Sequence, residues 1–224
     1  MAASTLIAIL GAESTGKSDL AAALAPRLAD LTGRRTAWVP ELLREWCDGQ
    51  GRTPRADEQA GIARGQQQRI AEAAATHELV LCDTTALMTA VYSRYVFGDG
   101  TLDDWAAAQH RRCAWTLVTA LDLPWLPDGL QRDGPHAREP VDTLLRELLV
   151  RHRLPWSLVT GAGAQRVESA IDALSPLLRT QAQPGSGLFT RLADREAAEP
   201  TWTWVCETCD VPECEHALLR RRVS

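Results

Sequence analysis

The chain has 224 residues, 45% of them hydrophobic and 24% charged, enough to bury the core of one α/β domain of about 150 to 200 residues with a small appendage. Its net charge of -5 argues against a dedicated binder of nucleic acid or membrane surface, because both carry a one-signed basic field, and favours a small-molecule partner. The amino terminus runs directly into an apolar strand, without a charged n-region, a signal-peptide core or an apolar stretch of membrane length, so a cytoplasmic location is expected.

The first strand is Leu6-Ile7-Ala8-Ile9-Leu10, a short apolar run that reads as buried. It feeds Gly11-Ala12-Glu13-Ser14-Thr15-Gly16-Lys17-Ser18, a complete G-x-x-x-x-G-K-[ST] phosphate-binding loop, and then an Ala/Leu-rich helix over 19–31. Lys17 is the only lysine in the chain; the remaining basic residues are all arginine. Arginine carries a flat, forked charge, whereas phosphates held in a tight backbone cradle need a compact ammonium on a flexible stem. Gly11, Glu13, Ser14, Thr15, Gly16, Lys17 and Ser18 are therefore expected to hold the phosphates of ATP.

Residues 36–39 read as a second strand, with Pro40 marking the join to a helix or turn over 41–46. Glu41 follows that strand, so in a doubly wound sheet it faces the same crevice as the phosphate loop. A carboxylate there can take a proton from an attacking hydroxyl or orient it, and Arg44, one turn on, can pair with a phosphate or with Glu41. A plain helix start is the alternative for Glu41. Trp38, Trp46 and Trp125 are aromatic faces near the expected crevice, able to stack on a planar base or simply to pack.

A long helix follows over 56–76, then an apolar strand over 79–83 that ends in Asp83. Asp83 occupies the position where a carboxylate holds Mg²⁺ or its water beside Ser18. The next residue is Thr84 rather than a water-activating glutamate, which leans toward transfer to a substrate hydroxyl. The alternative role for Asp83 is a helix cap shared with Thr84 and Thr85. Helices over 85–95, 102–113, 141–151 and 166–178 alternate with strands over 115–121 and 156–159. Such βα repetition implies an α/β fold, a P-loop NTPase-type parallel sheet with helices on both faces.

Two segments break the rhythm. Residues 124–140 are rich in Pro, Gly and Arg, the makeup of a lid in which Arg132 and Arg138 neutralise a phosphoryl group in flight; an ordinary exposed loop is the alternative. Residues 180–199 read as a linker after a kinase domain over 1–179, and 200–224 as a small tail. In that tail Cys206-x-x-Cys209-x-x-x-x-Cys214-x-His216 offers three thiolates and an imidazole, a ligand set for a structural Zn²⁺, with unpaired surface thiols as the alternative.

Gly11 to Ser18, Glu41-x-x-Arg44-Glu45 followed by Trp46, strand-end Asp83, and Pro124-Trp125-x-x-Asp128-Gly129 with Arg138 downstream together resemble the NadR-type ribosylnicotinamide kinase domain, over residues 4–178. The resemblance implies a kinase that uses Mg·ATP to phosphorylate the ribose 5′-hydroxyl of nicotinamide riboside. It makes Lys17, Glu41, Asp83, Arg132 and Arg138 the expected catalytic groups, and Trp38, Glu41, Arg44, Trp125 and Asp128 the expected substrate contacts. The chain departs from the family pattern at Leu42, where an aromatic residue is usual, and at Gln131, where arginine is usual and Arg132 comes one place later. The competing readings are a kinase for another nucleoside or small molecule, and a P-loop ATPase or regulatory protein whose zinc tail binds a partner protein. The chain contains no asparagine, so the Asn-Lys-x-Asp guanine motif cannot occur and a GTPase switch is disfavoured.

Overall fold

The computed structural model describes residues 4–126 and 134–181. The expectations for Asp128 and Arg132, and for zinc at Cys206, Cys209, Cys214 and His216, lie outside the described residues.

Strands β1 (Thr5–Leu10), β2 (Thr36–Val39), β3 (Leu79–Asp83), β4 (Cys113–Thr119) and β5 (Trp156–Val159) form one parallel sheet in the order β2-β3-β1-β4-β5. All of β1 and β3 is buried, as their largely apolar composition suits in central parallel strands. The helices are α1 (Lys17–Thr32), α2 (Leu42–Gln50), α3 (Gln59–Thr76), α4 (Ala86–Phe97), α5 (Asp103–His110), α6 (Arg138–Arg151) and α7 (Gly163–Gln181). α1 packs against α7, while α4 packs against α3, α5 and α6, so the sheet is covered on both faces. Residues Ala86 to Val91 of α4 are buried without interruption, which makes this helix part of the core rather than an amphipathic cover.

Strands β2, β3 and β5 fall where the apolar runs place them. β4 begins two residues before its expected start, because Leu6 pairs with Cys113 and Ile7 with Trp115, leaving Ala114 as the extra residue of a bulge. Within the segment 124–140 expected as a lid, Pro135–Ala137 form a 3-10 turn and Arg138 begins α6. Proline at the first position of such a turn loses nothing by its missing N–H.

The strand order sets the site. From β1 the chain moves out to β2, returns to β3, and then crosses over β1 to β4. Connections thus diverge at the carboxyl ends of β1, β3 and β4, and that divergence opens a crevice above them.

Candidate active site

The phosphate loop is fixed from below. Gly11 has φ 153°, and a Cβ there would lie 2.1 Å from Thr119 Oγ1, so only glycine fits. Thr15 Oγ1 donates to the Ala12 carbonyl (2.8 Å) and lies 2.7 Å from Thr119 Oγ1, whose one proton serves either that contact or the Leu10 carbonyl at 3.2 Å. Gly16, in the left-handed region at φ 71°, turns the loop into α1. The helix therefore presents its first amide groups and the positive end of its dipole to the crevice. Lys17 Nζ donates to the Ala12 carbonyl at 2.8 Å, arched over the loop it serves.

At the end of β3, Asp83 is 1% exposed. Its Oδ2 accepts from Ser18 Oγ at 2.5 Å, and its Oδ1 is buried with no hydrogen-bond partner among the described residues. Burial raises its pKa, opposed by the Ser18 hydroxyl and by the charges of Lys17 and Arg44. Capping is done elsewhere: Thr85 Oγ1 accepts from Leu87 N at the start of α4. Asp83 is thus free of the capping duty that was its alternative role.

Glu41 occupies the N-cap position of α2, yet its side chain makes no cap hydrogen bond. Its carboxylate instead lies among Lys17, Asp83 and Arg44 and accepts from the Thr84 hydroxyl. Its pKa is raised, chiefly by burial and further by the charge of Asp83, against the pull of Lys17, Arg44 and the Thr84 hydrogen bond. Thr84 achieves its contact from φ 66°, an uncomfortable backbone for a β-branched residue, held by a hydrogen bond from Thr84 N to the Ile9 carbonyl at 3.1 Å. The peptide units on either side of Glu41 are stapled by the buried Gln66 of α3, which accepts from Leu42 N (2.7 Å) and donates to the Pro40 carbonyl (3.3 Å).

Glu41 faces a cavity of about 300 Å³ lined also by the phosphate loop from Glu13 to Asp19, by Arg44 and Cys47, and by Gln59, Tyr92, Val96 and Phe97; Asp83 lies behind Ser18 and is not among the lining residues. The cavity lies in the size range of small-ligand sites. Of the expected site residues, it brings together Glu13, Ser14, Thr15, Gly16, Lys17, Ser18, Glu41 and Arg44. Trp38 is not among the lining residues; it lies on the edge strand β2, 39% exposed. Trp46 sits under Arg52, with the guanidinium 5.0 Å from the ring centroid. Trp125 lines neither this cavity nor the one described next, and its Nε1 is buried without a hydrogen bond among the described residues. The following residue does reach the site: Leu126 N donates to Ser14 Oγ at 2.7 Å, tying the start of the expected lid to the phosphate loop. Arg138 opens α6 and lines neither cavity, with its Nε and Nη2 buried and unpartnered among the described residues. Sequence reasoning missed Gln59, Tyr92 and Phe97, which carry no motif and reach the site only through the packing of α3 and α4.

On the other side of the phosphate loop a wider cavity of about 690 Å³ is lined by Gly16, Leu123, Gly163, Arg166 and residues of α1. Here Arg166, 3% exposed, donates from Nη1 to the Thr15 carbonyl (3.1 Å), from Nε to the Gly161 carbonyl (2.7 Å), and pairs through Nη2 with Asp122. Asp122 in turn accepts from Gly161 N at 2.7 Å. The phosphate loop, the end of β4 and the turn before α7 are thereby locked to one another. This hub was also missed, because nothing in the sequence around Arg166 links it to Thr15.

A family model described as an AAA domain matches residues 6–166. No curated protein matches the chain. Among solved structures, a NadR protein in complex with NR is similar at 20% identity and a TM-score of 0.62, over 77% of this chain and 50% of that one. A NadR protein in complex with NAD and AMP-PNP gives 19% and 0.59, over 77% and 49%. A thymidylate kinase from Ehrlichia chaffeensis gives 14% and 0.55, over 79% of this chain and 100% of that one. The chain spans about half the length of the NadR chains it matches. At these identities the likeness is one of fold.

Proposed function

The chain belongs to this AAA-domain family, and from that premise we propose that it is an ATP-dependent phosphotransferase that phosphorylates a hydroxyl of a nucleoside, with nicotinamide riboside as the first candidate and nicotinamide mononucleotide as its product. The observation that carries the reading is the position of Glu41: a carboxylate of raised pKa, without a capping role, facing the phosphate loop across a cavity of small-ligand size. A raised pKa suits a group that must take a proton from a hydroxyl near neutral pH. The residue after Asp83 supports transfer over hydrolysis, since Thr84 serves Glu41 and cannot activate water as a glutamate would.

In this reading the backbone amides of the phosphate loop and Lys17 hold the β- and γ-phosphates of ATP, and the ammonium leaves the Ala12 carbonyl to do so. The wider cavity beside α7 takes the rest of the nucleotide. Ser18 and Asp83 would hold a Mg²⁺ ion, a role that fits the buried, unpartnered Oδ1 of Asp83; when bound, the ion neutralises phosphate charge. The acceptor lies in the cavity of Glu41, with its hydroxyl against that carboxylate. As the oxygen attacks the γ-phosphorus, its proton passes to Glu41, the bond from phosphorus to the β,γ-bridging oxygen breaks, and Arg44 with Lys17 offsets the charge on the transferring group.

A second acceptor class is favoured by one observation: the thymidylate kinase from Ehrlichia chaffeensis is matched along its whole length, the NadR chains along half. A pyrimidine nucleoside or nucleotide is accordingly the alternative to the riboside. Incubation of the purified chain with labelled ATP and a panel of ribosides, deoxynucleosides and their monophosphates tests both readings. Transfer to nicotinamide riboside supports the first and transfer to thymidine or its monophosphate the second, while acceptor-independent hydrolysis overturns both.

A further inference from the structure

Two buried glutamines on one face of α3 are treated in opposite ways. Gln66, 2% exposed, spends its amide on the backbone of residues 40 and 42. Gln59, the first residue of the same helix and 5% exposed, makes no side-chain hydrogen bond among the described residues. It lines the cavity of Glu41, and its amide is not among the side-chain groups sealed from solvent without a partner, so the amide keeps access to a ligand. Leu43, Tyr92, Val96 and Phe97 line the same cavity. Buried amides are as a rule hydrogen-bonded, and an exception at the wall of a cavity calls for a partner in the cavity.

The position along α4 tells which part of an acceptor would meet it. Thr85 caps α4 next to Asp83, and Tyr92 and Phe97 follow seven and twelve residues on. At the rise of an α-helix this puts Tyr92 and Phe97 about 10 to 18 Å along the helix from its Thr85 cap. Because Glu41, Gln59, Tyr92 and Phe97 line one cavity, a nucleoside whose hydroxyl meets Glu41 would carry its ring toward Gln59. A primary amide presents one donor and one acceptor side by side in a plane, and its natural complement is an acceptor and donor side by side.

We propose that Gln59 is a specificity-determining residue of the acceptor site, its amide pairing twice with a planar ring whose edge carries a carbonyl and an N–H next to each other, as in a carboxamide or a lactam. The proposal rests on the reading of this cavity as a nucleoside site. Tyr92 and Phe97 supply the faces on which such a ring lies, and Gln59 reads its edge. An edge that lacks the N–H, or presents a carboxylate, leaves the amide half-paired at the cavity wall, and that loss produces the selectivity.

The test is calorimetric binding to the full chain in the presence of a non-hydrolysable ATP analogue. Two matched pairs are compared: nicotinamide riboside with nicotinic acid riboside, and thymidine with N3-methylthymidine. The wild type should prefer the intact edge in at least one pair by about tenfold or more. Gln59→Met should reduce that preference to within about threefold by weakening the favoured ligand, with ATP-analogue affinity and melting temperature unchanged. Gln59→Glu, which keeps size and one acceptor, should retain part of the affinity for a carboxamide and serves as a second variant should the methionine disturb the fold. An unaltered preference in both variants, or none in the wild type, overturns the proposal. Phosphoryl transfer to nicotinamide riboside that is indifferent to Gln59 leaves the functional reading standing without it. Edge-dependent binding with no transfer leaves Gln59 standing without the kinase, and failure of every nucleoside to bind removes both.

Discussion

On the β4 and β5 side of the phosphate loop, protein groups answer one another: Arg166 is shared among the Thr15 carbonyl, the Gly161 carbonyl and Asp122, and Asp122 accepts again from Gly161 N. On the β2 and β3 side, Asp83 keeps a buried oxygen without a partner among the described residues, Glu41 stands at a helix start that it does not cap, and Gln59 lines the cavity of Glu41. The difference separates holding from reacting. A buried polar group with a full set of protein partners fixes geometry, whereas one left short at a cavity can be completed by a ligand, so the cavity of Glu41 is where substrate chemistry belongs.

The widest test of that division is Lys17, which serves both sides. Lys17→Ala should lower phosphoryl transfer on the order of a thousandfold or more with the fold intact, and Lys17→Arg should fail nearly as badly because a planar guanidinium does not fit the arch over Ala12. Steady-state assays with circular dichroism as the control decide it, and near-normal kcat in the arginine variant would defeat the argument from the lone lysine. Next in size is Glu41→Gln, expected to lower kcat about a hundredfold with the KM for ATP little changed. Because burial raises the Glu41 pKa, its carboxylate is protonated at a higher pH than an ordinary glutamate, and kcat should fall on the acid side within that raised range. An acid limb that survives unaltered in Glu41→Gln would assign it to another group.

The contrast between the two sides also explains what could be read in advance. Local signals were enough for Gly11 to Ser18, for Asp83 at the end of an apolar run and for Glu41 after the second strand, because a parallel sheet brings the carboxyl ends of its strands to one crevice whatever the details of its packing. The order β2-β3-β1-β4-β5 is not written in any strand. Gln59, Tyr92, Phe97 and Arg166 were invisible because their roles depend on which helix lies beside which. Trp38 shows the converse: the sequence puts an aromatic next to the right strand end, but alternation along β2 buries Val39 and leaves Trp38 exposed on the edge strand.

Arg166 breaks the comparison from the paired side. Lysine in its place keeps the charge but cannot reach three acceptors from one plane, so Arg166→Lys should loosen the phosphate loop without touching the reacting groups. The expected result is a rise in the KM for ATP of about tenfold with kcat changed less, the opposite of the pattern for Glu41→Gln. If both variants lower kcat alike, holding and reacting are not separable in this loop.

The smallest effect concerns a paired group beneath the reacting side. His110 is 2% exposed, its Nδ1 2.9 Å from Thr85 Oγ1 and its Nε2 2.8 Å from Thr116 Oγ1, and burial lowers its pKa from 6.5 to about 4. Between those two values the unfolded chain binds a proton at this residue and the folded chain does not, so stability rises with pH across the window and is lost as pH falls through it. From pH 7 to pH 5.5 the loss should be about 1 kcal/mol, less than a full pKa unit's worth. Urea unfolding of the wild type and of His110→Gln at the two pH values measures it, since the glutamine variant is less stable overall but should lack this part of the acid sensitivity. The measurement also protects the Glu41 assignment. Thr85 caps the helix that carries Tyr92 and Phe97, so partial unfolding near His110 could imitate an acid limb in kcat; if stability at pH 5.5 remains well above zero while kcat falls, the limb belongs to a reacting group such as Glu41 and not to the fold.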